Sequence, residues 1–289
     1  MKRLYGHILP FAFFMAVFIT MGIVVTSCHF HQKQHPLIAV SIQPQKFLLE
    51  QIADGKIEVV SLLGDESNPE TYEPNMTDMM SLEHSQAYFT IGNIGYEYAI
   101  LEKVRNNNPK LHIFNTSKGI TYLKGHDLDD GDTDPHVWTS LRNAKIMASN
   151  MLQALIQLYP NDKKYFIERY KALISHLDEL DAQFSNRLQP LHGSTFIVWH
   201  PSFSYFARDY SLRQLALDNG KDPSVADLKA RIDKARRSGA KIIVMQQQFD
   251  GRSAEVINQE IGAKTVTINP MSEDWEKEMI KLVDALTVK

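Results

Sequence analysis

The chain has 289 residues, of which 44% are hydrophobic and 22% charged, enough apolar material for one large or two medium domains with a real core. A formal net charge of −3 and a pI near 6.4 supply no basic field of the kind that displaces counterions from phosphates, which excludes nucleic acid as a partner. A single cysteine excludes a fold held by disulfides.

At the start of the chain, Lys2, Arg3 and His7 precede an apolar run over 8–25 that contains no charge, the pattern of a secretion signal or an anchor helix. The run ends in Val25-Thr26-Ser27-Cys28, which resembles the lipobox where bacterial lipoproteins are cut and acylated. The expectation is a lipoprotein signal peptide over 1–27, a lipid anchor on Cys28 and a place in the bacterial cell envelope, facing the periplasm. The competing reading is an uncleaved transmembrane helix. Residues 28–36 carry His29, His31 and His35 among polar neighbours and read as a solvated tether rather than a metal-holding tract.

Short β-rich apolar runs follow at 37–42, 57–63, 87–92 and 111–115, separated by segments with helical spacing such as Phe47, Leu48 and Ile52. This alternation predicts a parallel-sheet α/β lobe over 37–160. From 161 to 188 the pattern changes: Tyr165, Phe166, Tyr170, Leu173, Leu177, Leu180, Phe184 and Leu188 recur every three or four residues, between Pro160 and Pro190. One helix of that length spans about 42 Å, and 161–190 reads as a strut between two halves. Beyond it, 195–199, 212–217, 241–245 and 264–268 read as strands of a second α/β lobe over 191–289. A helix is expected over 223–238, with Asp222 as its N-cap and Gly239 as its stop.

In open α/β sheets ligands bind beyond the carboxyl ends of the strands. That rule selects three loops, each setting donor side chains beside a proline: Asn68-Pro-Glu70-Thr-Tyr-Glu73-Pro, His200-Pro and Asn269-Pro. A fourth candidate, Asp134-Pro-His136-Val-Trp138, follows an acidic run and precedes a helical pattern beginning near Leu141. Together Glu70, His136, His200 and Asn269 could enclose one ion. Imidazole nitrogens and carboxylate oxygens suit zinc, manganese or ferrous iron, and no further cysteine is present to supply thiolate. Trp138 and Trp199 flank the histidines and are candidates for a dry wall around them, with core packing as the alternative. Phe203, Tyr205 and Phe206 read as helix packing.

The order NPETYEP, DPHVW, WHPSFSYFARDYSL, KDPS, KIIVMQQQF, AEVINQEIGAK and INPMSED resembles the zinc/manganese substrate-binding lipoproteins of metal ABC importers over nearly the whole mature chain. The resemblance implies two four-stranded parallel-sheet α/β lobes joined by one long rigid helix. It also implies a monomer that holds one metal ion between its lobes and passes it to an importer permease. The chain departs from the family pattern at Glu70, where histidine is usual, at Asn269, where aspartate is usual, and at Gln246-Gln247-Gln248, where Glu-Pro-Gln is usual. The altered set is richer in oxygen, which draws the preference toward manganese or iron, while affinity order favours zinc. Zinc is placed first because His200 stands where manganese receptors tend to carry glutamate.

The acidic stretch from His126 to Asp134 stands where zinc receptors often carry a mobile loop of histidines and acids, and it does not fit a calcium-binding EF-hand loop. Two other readings compete. A His/His/carboxylate set also serves metallohydrolases, but no H-E-x-x-H or G-x-S-x-G signature is present, so no enzyme is expected. The altered ligand positions also suit a surface adhesin or a receptor that has lost its metal affinity.

Overall fold

The structure, a computed structural model, describes residues 35–125, 133–218, 225–247 and 260–288. The apolar leader, Cys28, all but the last two residues of the tether, 126–132 of the acidic stretch and the expected N-cap Asp222 lie outside the described residues. No helix among the described residues is long and apolar enough to cross a membrane.

Two parallel four-stranded sheets form the frame. The first is built from β1 (Leu37–Val40), β2 (Glu58–Ser61), β3 (Ala87–Thr90) and β4 (His112–Asn115), in the order β2-β1-β3-β4. The second repeats this order with β5 (Thr195–Val198), β6 (Arg213–Ala216), β7 (Ile242–Gln246) and β8 (Lys264–Ile268), as β6-β5-β7-β8. Both are parallel throughout. Parallel pairing requires crossovers and covers both faces of a sheet, so β1, β3, β5 and β7 read as continuous apolar runs rather than as alternating ones. In each order the chain reverses direction beside the first strand, between β1 and β3 and between β5 and β7, and a crevice opens there at the carboxyl ends.

In the first lobe the protein fills that crevice itself. Ser41, directly after β1, and the main-chain N–H groups of Ile91 and Gly92, directly after β3, all donate to the buried Glu97 carboxylate of α3 (Gly95–Asn107), at 2.7 Å from Ile91 and 2.6 Å from Gly92. Gly92 has φ +104°, and a Cβ there would stand 2.2 Å from the Asn115 side chain; only glycine closes this turn.

The long helix is present as α5 (Lys163–Leu188), preceded by a 3-10 turn over Pro160–Asp162 rather than starting at residue 161. Its 26 residues span about 39 Å. The apolar stripe expected from sequence is buried at Phe166, Leu173, Leu177, Leu180, Phe184 and Leu188. It packs on α1 (Gln43–Ala53) and α4 (Leu141–Leu158) of the first lobe and on α8 (Trp275–Thr287) of the second. Polar contacts fasten its two ends and its middle. Tyr165 donates to Asp54 at 2.7 Å and Arg169 pairs with Asp54 at 3.3 Å, while Arg187 pairs with Asp284 at 2.7 Å and His176 with Glu276 at 2.8 Å. Most buried apolar residues of both lobes join one continuous core around this helix. A smaller cluster, Ile197, Leu217, Ala235, Ile243, Met245 and Ala263, lies in the second lobe, where Ala235 of α7 (Val225–Ser238) meets the sheet. Gly239, with φ +69°, ends α7 as the sequence predicts.

Candidate metal centre

Three of the four expected residues meet. Glu70 lies in the loop after β2, His136 just before the 3-10 turn Val137–Thr139, and His200 two residues beyond β5. One ligand atom of each lies within 4.8 Å of the others. His200 Nε2 stands 3.0 Å from Glu70 Oε1, and the two imidazole rings are edge to face with centroids 5.2 Å apart. Both histidines are buried, at 5% and 4% exposure, while the Glu70 side chain keeps 37% of its surface open. Donor atoms around a tetrahedral zinc stand about 3.3 Å apart when the bonds are about 2.0 Å, and this cluster needs only small adjustments to reach that spacing.

Each imidazole is aimed by a carboxylate behind it. Asp134 Oδ1 accepts from the His136 main-chain N–H at 2.9 Å and lies 2.8 Å from His136 Nδ1. This pairing fixes the proton on Nδ1 and turns Nε2 toward the cluster. Asp218 Oδ2 lies 3.8 Å from His200 Nδ1, beyond direct hydrogen-bond reach, and sets a negative charge on that side of the second ring. Burial alone would pull the His200 imidazole down, but the carboxylates of Asp218 and Glu70, the latter in hydrogen-bond contact, lift it to about 9. Burial likewise pushes Glu70 and Asp134 up, and here too the partners prevail: His200 and His136 hold Glu70 below its ordinary value, and His136 does so for Asp134.

The second lobe sets His200 at its own strand crossover. Gln246, the last residue of β7, is buried and bonds the His200 main chain at two points. Its Oε1 accepts from the His200 N–H at 3.2 Å and its Nε2 donates to the His200 carbonyl at 2.6 Å, with a further bond to Ser202 Oγ at 2.8 Å. Tyr205 supports the other histidine, donating its hydroxyl to the Asp134 carbonyl at 2.6 Å. Sequence spacing pointed to neither Gln246 nor Asp218, because each acts through a contact made only in the fold.

The cavity at the cluster has a volume of about 20 Å³ and is lined by Asn68, Pro69, Glu70, His136, Trp138, His200, Ser202, Gln246, Pro270 and Met271. Trp138 lines it and also joins the hydrophobic core: it is 1% exposed, and its indole donates to the Pro270 carbonyl at 3.0 Å. Trp199 does not line the cavity and packs instead against the small cluster of the second lobe. Phe203, Tyr205 and Phe206 are core residues, as expected.

Asn269, the fourth expected ligand, is buried but does not line the cavity. Its Oδ1 accepts from the Met271 N–H at 3.0 Å, and its Nδ2 donates to the Asp65 carbonyl at 3.0 Å. Both ends of the amide are therefore engaged with main chain.

Residues 38–288 match the model of a family described as zinc-uptake complex component A, periplasmic. A crystal structure of ZnuA is similar to this chain at a TM-score of 0.81 and 33% identity, over 87% of this chain and 99% of that one. A zinc-bound ZnuA deletion mutant aligns with a TM-score of 0.82 and 32% identity, over 89% and 100% of the two chains. The high-affinity zinc uptake system protein ZnuA of Bacillus subtilis (strain 168) is 25% identical over 250 residues, 81% of this chain and 78% of that protein.

Proposed function

We propose, since this chain belongs to the family of periplasmic zinc-uptake complex component A proteins, that it captures one divalent transition-metal ion, zinc first, between its lobes and delivers it to an ABC-type importer. The observation that carries this reading is the meeting of Glu70, His136 and His200, from loops far apart along the chain, within 4.8 Å of one another.

Two neutral imidazoles and a carboxylate form a borderline-soft set that binds zinc above manganese and ferrous iron when all are offered equally. The carboxylates behind the rings keep each Nε2 facing the ion and raise its basicity. The ion is cargo: the protein binds it, shields it with Trp138 and releases it when docking on the permease disturbs the loops. Cys28 holds the chain on the envelope membrane as a lipid-anchored monomer. Manganese or ferrous iron is the alternative cargo, favoured by the oxygen of Glu70 in place of the usual histidine.

Metal analysis of the protein purified without added metal, repeated on His136→Ala and His200→Ala, tests the proposal. One zinc per chain in the parent and no tight binding in either variant is expected; stoichiometric zinc retained in both variants would sink it. Equilibrium dialysis against zinc, manganese and iron separates the cargoes, and weak binding of all three would point instead to an adhesin or a receptor without affinity. Metal-dependent turnover of ester, peptide or phosphate substrates would favour a hydrolase.

A further inference from the structure

The loop that carries Glu70 is tied to the second lobe by a side chain that in this chain is an amide. Asn269 follows β8 and belongs to the second lobe, whereas Asp65 lies five residues before Glu70 in the first. The Asn269 Nδ2 donates to the Asp65 carbonyl at 3.0 Å, and its Oδ1 accepts from the Met271 N–H at 3.0 Å. Its own main-chain N–H donates to Glu278 of α8 at 2.8 Å, so the turn from which the amide reaches across is itself held by a helix. A second bond joins the same two segments, from the Glu273 N–H to Asp65 Oδ1 at 3.1 Å, but it is exposed.

A carboxylate could accept from Met271 but has no proton to donate to Asp65. Two acceptors facing each other at that distance repel, and the side chain would turn away. The identity of residue 269 therefore decides whether the more buried of the two ties between the loop before Glu70 and the second lobe can form.

We infer that Asn269 is a positioning residue rather than a ligand: its amide latches the Asp65–Glu70 loop onto the second lobe and so sets where the Glu70 carboxylate stands. The ion then takes its protein ligands from Glu70, His136 and His200 alone. This deepens the metal-receptor reading and rests on it for the ligand count, while the latch itself exists without any ion.

Two measurements on the full chain separate the parts. Amide hydrogen exchange of metal-free protein over 64–72 reports the latch: Asn269→Ala and the nearly isosteric Asn269→Asp should both exchange roughly tenfold faster there than the parent, the loss expected for one partly buried hydrogen bond. Exchange unchanged in either folded variant overturns the latch, and Asn269→Asp keeps the question answerable should Asn269→Ala fail to fold.

Cobalt(II), whose absorption bands respond to ligand type and number, reports the ligand role. Band positions and intensities in Asn269→Ala identical to the parent, with faster cobalt release to a chelator, are expected. Bands displaced in Asn269→Ala but restored in Asn269→Asp, which keeps an oxygen donor without the latch, would make Asn269 a ligand and overturn the inference. Failure of the parent to take up cobalt, or uptake undiminished in His200→Ala, would instead overturn the metal-receptor reading and leave the exchange result standing.

Discussion

Gln246 grips His200 by the main chain: one amide side chain accepts from the His200 N–H and donates to its carbonyl, at 3.2 and 2.6 Å. The bond spans β7 and β5 at the crevice where the second sheet reverses direction, so the position of a proposed ligand is set by a residue that need not touch the ion. Gln246→Met keeps the volume and removes both bonds, leaving buried main-chain groups unpaired. It should lower unfolding free energy by about 1–3 kcal/mol and weaken zinc binding, as read by urea titration and by competition with a chromophoric chelator.

The carboxylate behind the other ring makes a separate prediction. Asp134→Asn keeps the shape but can present its amide N–H to His136 Nδ1, favouring the tautomer with the proton on Nε2, which faces the ion. Zinc affinity should fall about 10–100-fold with little change in the circular dichroism spectrum. Affinity within twofold of the parent would show that Asp134 does not orient the ring.

Zinc binding should expel a proton near neutral pH. His200, held at about 9 by Asp218 and Glu70 against the burial that opposes it, carries its proton at pH 7 and must lose it to coordinate through Nε2. Calorimetry in buffers of different ionisation enthalpy should find about one proton released from His200 per zinc at pH 7, falling toward none above pH 9. Apparent affinity should rise about tenfold per pH unit over the same interval.

Without metal the sign is opposite for stability. The folded value of about 9 lies above the ordinary 6.5, so the stabilisation from His200 is fully present below pH 6.5 and is lost as pH rises through 9. Its size is on the order of 3 kcal/mol. Glu70, held low, contributes above its ordinary value and loses that contribution as pH falls below it. Metal-free protein should therefore unfold at lower denaturant near pH 9.5 than near pH 6.5, and zinc should remove or reverse the difference.

The strut offers a test of the frame apart from the site. Leu177 is fully buried midway along α5, and Leu177→Ala should cost about 2–5 kcal/mol while the cobalt spectrum of the folded fraction stays that of the parent. A changed spectrum would mean that core packing around α5 sets the ligand geometry.

Much of this molecule was legible in its sequence. The strands announced themselves as apolar runs, and α5 as a stripe from Phe166 to Leu188 too long for an ordinary domain helix. Glu70, His136 and His200 stood out because each pairs a donor side chain with a neighbouring proline in a loop. What escaped were roles fixed by partners distant in the chain. No spacing joins Gln246 to His200, Asp218 to the Nδ1 side of that ring, or Tyr205 to Asp134. Asn269 carried the right atom type for a ligand, but the direction of its amide depends on Asp65, 204 residues away. Trp199 sits beside His200 in sequence, yet past the end of β5 the two side chains part, and its indole joins the small cluster of the second lobe.

The cavity of about 20 Å³ between Glu70 and the two histidines has room for roughly one water-sized body. An ion still wearing its aqueous coat is too large to settle there, so entry is a matter of undressing before it is one of recognition. Magnesium, which gives up its waters reluctantly, would be at a disadvantage at that threshold against a cation that sheds its shell readily.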